Sequence, residues 1–291
     1  MIRKMYLAVM AMGLLSVSCS NDDDATPQIE TSELTLNLTG LEALGDDFVY
    51  EGWVIVDGAP VSTGRFSDVT FPQTFQVLST QLAAATTFVL SIEPTVDPDP
   101  APAETKVLAG DFSGTSASVN SNLVADFSTV AGTFILATPT DADDTNEESG
   151  VWFLDNASGS AVTGLNLPVL SDGWKYEGWA VINGTPISTG TFTDASMADD
   201  NAATSVFKGD TGNGPGYPGE DYLQNAPAGF TFPTDLRGAT IVVSVEPSPD
   251  NSAAPFTLKP LAQMVATDAA VHTSITMGDG PVQSLMGTVN R

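Results

Sequence analysis

Glu93 and Glu246 are the first residues to weigh as catalysts, because they recur at equivalent places in two similar stretches of the chain. Two carboxylates flanking a sugar bond are the machinery of glycoside hydrolysis. Repetition, however, puts one glutamate in each stretch rather than both at one bond. The chain has 1 His and 1 Cys, so a Cys/His zinc site is excluded and a Ser-His-Asp arrangement has only His272 to build on. Residues 141–148 (DADDTNEE) have the acidity of a calcium loop. They lack the Gly at the sixth position and the Glu at the twelfth that an EF-hand needs. No metal, cofactor or catalytic residue is therefore expected.

A binding surface is the better prospect. Residues 208–222 (KGDTGNGPGYPGEDY) join permissive glycines to two tyrosines and several acids. Long segments without regular structure are usually functional or disordered. Tyr217 and Tyr222 are placed to stack on a sugar or peptide, with Glu220 and Asp221 as hydrogen-bond acceptors; the plain alternative is an ordered loop covering one end of the fold.

The elements that hold these residues come as a repeat. Residues 50–68 match residues 176–194 at an offset of 126, with 11 of 19 positions identical. Residues 87–94 (TFVLSIEP) match residues 240–247 (TIVVSVEP) at an offset of 153, so the second copy carries about 27 extra residues. A weaker echo joins residues 130–133 to residues 285–288. Asp57-Gly58 and Asn183-Gly184 are the strongest two-residue hairpin dipeptides, since type I′ turns need positive φ at both central positions. In residues 87–93 the pattern alternates, with Phe88, Leu90 and Ile92 on one face and Ser91 and Glu93 on the other. Helical periodicity is nearly absent. The expected fold is all-β: two tandem Ig-like antiparallel β-sandwiches, 31–130 and 131–291, the second with a long inserted loop near 196–227. Glu93 with Lys106 and Glu246 with Lys259 share one spacing in both copies, and an ion pair across adjacent strands is expected in each.

The start of the chain concerns location. Arg3 and Lys4, the apolar run 7–15 and Ser16-Val17-Ser18 before Cys19 form a secretion signal at 1–18. It resembles a bacterial lipoprotein signal with Cys19 as the lipidated residue, although Ser16 stands where Leu is commonest. Residues 19–30 then form an acidic tether, and Asp22-Asp23-Asp24 resembles the export signal of Bacteroidota surface lipoproteins. Without residues 1–18 the chain keeps 7 basic and 36 acidic residues, a net charge of −29. That excludes non-specific nucleic-acid binding and adhesion to anionic lipid.

The motifs Tyr50/Trp53, 60–66 and 91–94, and again Tyr176/Trp179, 186–192 and 244–247, are similar to the C-terminal domain of anti-sigma-K factors. In that family the domain lies outside the cytoplasmic membrane. The resemblance implies a non-enzymatic sensing or binding role in the cell envelope. Direct contact with a sigma factor is not implied, because the chain has no N-terminal regulator domain and a Cys19 lipid holds it outside. The expected location is the outer membrane, at the cell surface or on its periplasmic face, with an envelope protein or extracellular ligand as partner. The competing reading is a surface protein that captures glycans or peptides, or assists a hydrolase.

Overall fold

The computed structural model describes residues 29–250 and 252–291. Cys19 and the tether up to residue 28 lie outside them. The chain is 44% strand and 3% helical. Its sheets are antiparallel, as expected from the hairpin dipeptides and the period-2 patterns.

In chain order the strands are β1 Thr31–Thr39, β2 Phe48–Val56, β3 Ala59–Phe66, β4 Gln73–Leu78, β5 Thr87–Pro94, β6 Lys106–Ser113 and β7 Ser116–Asn120, with a short helix α1 at Ser79–Ala84. Then follow β8 Ala131–Leu136, β9 Gly150–Trp152, β10 Leu154–Asp155, β11 Val162–Thr163, β12 Leu165–Asn166, β13 Trp174–Ile182 and β14 Thr185–Phe192. The last are β15 Gly219–Asp221, β16 Thr240–Pro247, β17 Lys259–Met264, β18 Ile275–Thr276, β19 Gly278–Val282 and β20 Met286–Asn290. No helix among the described residues is long and apolar enough to cross a membrane.

Each copy is organised by its hairpin. Asp57 and Gly58 have φ of 51° and 80°, and Asn183 and Gly184 have 52° and 83°, the conformation that a type I′ turn demands. Both hairpins slip register at the same place, between Gly52 and Trp53 and between Gly178 and Trp179. On β2 and β5, Tyr50 faces Ile92, Gly52 faces Leu90 and Val54 faces Phe88. On β13 and β16 the corresponding pairs are Tyr176 with Val245, Gly178 with Val243 and Ala180 with Ile241. These side chains point into the core. The opposite faces carry Glu51, Ser91 and Glu93, or Glu177, Ser244 and Glu246, and those six are buried too.

The sheets do not divide at residue 130. One eight-stranded sheet runs β3-β2-β5-β6-β7-β20-β1-β4, so the C-terminal strand lies between the first copy's β1 and β7. In return β8, which follows the first copy, pairs with the second copy's β12, β9 and β18. The exchange is reciprocal in detail: Leu38 faces Gly287 across β1 and β20, and Leu165 faces Gly132 across β12 and β8. A side chain at Gly287 would run into the Asn37 carbonyl and Leu38, and one at Gly132 into Met277 and Leu261. The faint echo between 130–133 and 285–288 is therefore a pair of equivalent strands, each completing the other copy's sheet. A cut at 130/131 misassigns the last strand. Most buried apolar side chains of both copies form one continuous cluster rather than two separate cores.

The inserted segment is not a loose loop either. Its β15 pairs with β9, and Phe207, Tyr222 and Phe232 form a three-ring cluster with centroids 5.5–6.1 Å apart. Ring pairs of this kind contribute about 0.5–1.5 kcal/mol each beyond the area they bury.

Candidate functional site

The outer face of each central hairpin carries a hydrogen-bonded relay. Trp53 Nε1 donates to Ser91 Oγ at 2.8 Å, and Ser91 Oγ donates to Glu93 Oε1. Trp179 Nε1 donates to Ser244 Oγ at 2.7 Å, and Ser244 Oγ donates to Glu246 Oε1. Glu93 then accepts the N–H of Ala103 at 2.8 Å, while Lys106 Nζ donates to the carbonyl of the same residue at 3.1 Å. Glu246 accepts the N–H of Phe256 at 2.9 Å, and Lys259 donates to the Phe256 carbonyl. The expected Glu–Lys ion pairs are thus absent among the described residues. Each glutamate and lysine instead grips opposite ends of one residue and pins the Pro-rich loop to the sheet. The shared spacing reflects this clamp, and its two groups meet through a peptide instead of directly.

Beside each relay sits a second glutamate. In the first copy Ser62 Oγ donates to Glu51 Oε1 at 2.5 Å, and Arg65, opposite Glu51 on β3, places Nε 3.0 Å from Oε2. The same guanidinium lies 3.8 Å from Asp97 and donates to the carbonyls of Pro94 at 2.5 Å and Thr95 at 3.3 Å. In the second copy Ser188 Oγ donates to Glu177 Oε1, and the residue opposite Glu177 is Thr191. Burial pushes Glu246 up to about 8 and Glu177 up to about 7, and the charge of Asp250 adds to both. Glu93 is also raised by burial, with its Ser91 and Ala103 hydrogen bonds opposing.

Between the copies lies a cleft of about 550 Å³. Residues 42–48 of the first copy and the segment around 246–256 of the second form its walls. Glu42, Asp46, Glu246 and Asp250 make it acidic, and Leu44, Phe48 and Phe256 supply apolar surface. Concavity with a few convergent polar groups is the usual form of a small-ligand site. The cleft exists because the two copies pack together, so no single motif announces it.

Residues 24–107 match the family model of the anti-sigma-K factor rskA C-terminal domain. No significant match was found among curated proteins or solved structures. The anti-sigma-K C-terminal match spans β1 to β5 and the start of β6, so it includes Glu51, Arg65, Glu93 and Lys106. The second copy lies outside the matched residues, yet it rebuilds the same relay and clamp.

Of the residues proposed for ligand binding in the insertion, Glu220, Asp221 and Tyr222 are buried and Tyr217 is half-buried. Tyr222 is fully buried, and its hydroxyl donates to the Ile187 carbonyl at 3.1 Å. Asp221 accepts from Thr140 N–H at 2.9 Å and from Trp152 Nε1 at 2.7 Å. Ser205 Oγ donates to Glu220. Tyr217 packs against the small cluster of Ile135, Ala137, Trp152 and Leu154, with its hydroxyl on the Ala161 carbonyl at 3.1 Å. Their polar atoms hold the insertion to β9 and β14, which corrects the expectation of an exposed binding loop. His272 is half exposed, 3.3 Å from Glu147, and no hydroxyl reaches its ring among the described residues. The acids of 141–148 are occupied locally: Thr145 N–H donates to Asp143, and Thr138 N–H to Glu147.

Proposed function

We propose that this protein is a non-enzymatic, lipid-anchored protein of the cell envelope that senses or binds a ligand through its paired β copies, in a regulatory role like that of the extracytoplasmic part of anti-sigma factors. The observation that carries the reading is the family match at residues 24–107. It gains support from the relay and clamp that the second copy repeats. The cleft between the copies is the binding surface, and its acidic rim suits a cationic or hydroxyl-rich ligand. Anchorage at Cys19, in the outer membrane and facing outward, rests on the sequence of the leader. The alternative, capture of glycans or peptides by the insertion, loses its main support because Glu220, Asp221 and Tyr222 are buried.

Two measurements test the proposal. A fatty-acid analogue should label the wild type and leave Cys19→Ala unlabelled; equal labelling removes the anchor. Transcript profiles of a deletion strain and of a strain carrying Phe48→Ala in the cleft should shift the same set of genes. Profiles indistinguishable from wild type in both strains would overturn the regulatory role.

A further inference from the structure

At an otherwise similar site the two copies place positive charge differently: Thr191 stands where the first copy has Arg65, and Lys175, opposite Glu246, stands where the first copy has Val49 opposite Glu93. Glu51, Glu93 and Asp97 of the first copy correspond to Glu177, Glu246 and Asp250 of the second. In the first, the Arg65 guanidinium sits between Glu51 and Asp97 and caps two backbone carbonyls. In the second, threonine replaces that arginine, and a cavity of about 240 Å³ takes the place of its side chain. Glu177, Glu246 and Asp250 line it together with Thr191, Pro247, Ser248 and Lys175, whose ammonium is held by Asp200.

We propose that this cavity is a divalent-cation site, selective for Ca²⁺, held by the carboxylates of Glu177, Glu246 and Asp250. One carboxylate oxygen from each residue lies within 4.8 Å of the others. Two oxygens on a common Ca²⁺, each about 2.3–2.6 Å from it, are separated by no more than about 5 Å. Glu177 is 6% exposed and Glu246 1% exposed, so two of the carboxylates are withdrawn from water. The Glu177 oxygen that matches the one bound by Arg65, Oε2, has no hydrogen-bond or ion-pair partner among the described residues. Once ionised, as at pH 8, these two buried carboxylates need a counter-charge, and in the first copy Arg65 supplies one beside Glu51.

The nearby lysines are committed elsewhere. Lys175 Nζ lies 2.7 Å from Asp200, and Lys259 donates to the Phe256 carbonyl. Pro247 and Ser248 stand where Pro94 and Thr95 offer carbonyls to Arg65. The donors are therefore all oxygen and irregularly arranged. That suits Ca²⁺, which accepts six to eight oxygens in flexible geometry, better than Mg²⁺, which demands a compact octahedron.

The test is thermal unfolding of the purified full chain at pH 8, with EGTA, with 10 mM CaCl₂ or with 10 mM MgCl₂ (concentrations on the order used to saturate extracellular calcium modules). For a Kd of about 10⁻⁴ M, calcium should raise the wild-type midpoint by roughly 5 °C, and magnesium by less. Thr191→Arg, which installs the first copy's guanidinium, should melt higher than wild type in EGTA and lose the calcium response. Asp250→Asn should weaken the response without adding a cation, and it decides the matter if Thr191→Arg does not fold. A wild type indifferent to calcium overturns the proposal. So does a calcium response that survives undiminished in either variant, since the ion would then sit on other acids of the chain.

Discussion

Glu220→Gln isolates what one buried carboxyl group does to the pH dependence of folding. Glu220 is 3% exposed and sits in β15 between Ser205 Oγ, which donates to Oε2, and the Asp221 N–H, which donates to Oε1 at 2.9 Å. Burial pushes its pKa from 4.5 up to about 8; the hydrogen bonds from Ser205 and Asp221 pull against this, and the charges of Asp199 and Asp221 add to it. Between those two values the folded chain holds a proton that the unfolded chain has released. A carboxyl group raised on folding stabilises least when ionised, so stability is highest below about pH 4.5 and declines as pH rises towards about 8. One proton gives a slope of about 1.4 kcal/mol per pH unit, and over this interval about 4–5 kcal/mol. Glutamine keeps the shape and both hydrogen bonds, since its carbonyl accepts from Asp221 and its amide donates to Ser205 Oγ. Urea unfolding from about pH 5 to 7.5 should therefore show a shallower decline in the variant, by up to about 1.4 kcal/mol per pH unit. Asp199 and Asp221, both raised to about 6, remain in the two proteins and drop out of the difference. Parallel pH profiles would refute the argument, because Glu220 would then be ionised in the folded state.

Three further outcomes are expected. Removing residues 286–291 strips a strand paired on both sides and the fully buried Val289, worth about 1.5–3 kcal/mol alone; hydrogen exchange in residues 31–39 and 116–120 should lose protection, and unchanged protection would contradict the sheet order. Deleting residues 209–219 removes the start of β15 and the anchor beside Trp152, so cooperative unfolding should be lost; a shift of only a few degrees, as for a free loop, would show that the segment is dispensable. Ser244→Ala leaves the buried Trp179 N–H and the Glu246 carboxylate each short of a partner, at a cost of about 1–3 kcal/mol in denaturant melts, and Ser91→Ala should cost a similar amount in the first copy.

The hairpins were readable because their determinants are local: Asp57-Gly58 and Asn183-Gly184 fix the turns, and the alternation in 87–93 assigns Phe88, Leu90 and Ile92 to the core. The strand exchange was not. Residues 130–133 and 285–288 resemble each other, but likeness between strands does not say which partner each one chooses. The insertion misled for a chemical reason. Glycines, prolines and acids read as solvated loop, whereas Asp221 is buried because Thr140 and Trp152 supply its donors from distant parts of the chain. The shared spacing of Glu246 and Lys259 suggested a direct ion pair and could not reveal that Phe256 stands between them. The cation cavity depends on a comparison of Arg65 with Thr191, a difference that matters only once three carboxylates are seen to converge beside it.

The strand exchange ties the first copy to a segment made much later in synthesis. Thr39 and Met286, joined by a side-chain hydrogen bond, are 247 residues apart, and contacts of such long range form slowly. While the chain emerges from its N-terminus, β1 and β7 stay open-edged, in the state most prone to stray pairing. They close only when residues 286–290 arrive. β20 is thus a check on the second copy: a nick or a stop before it registers as an unfinished sheet in the first. Chains arrested before residue 286 should be cut by protease within 31–120, and full-length chains should resist.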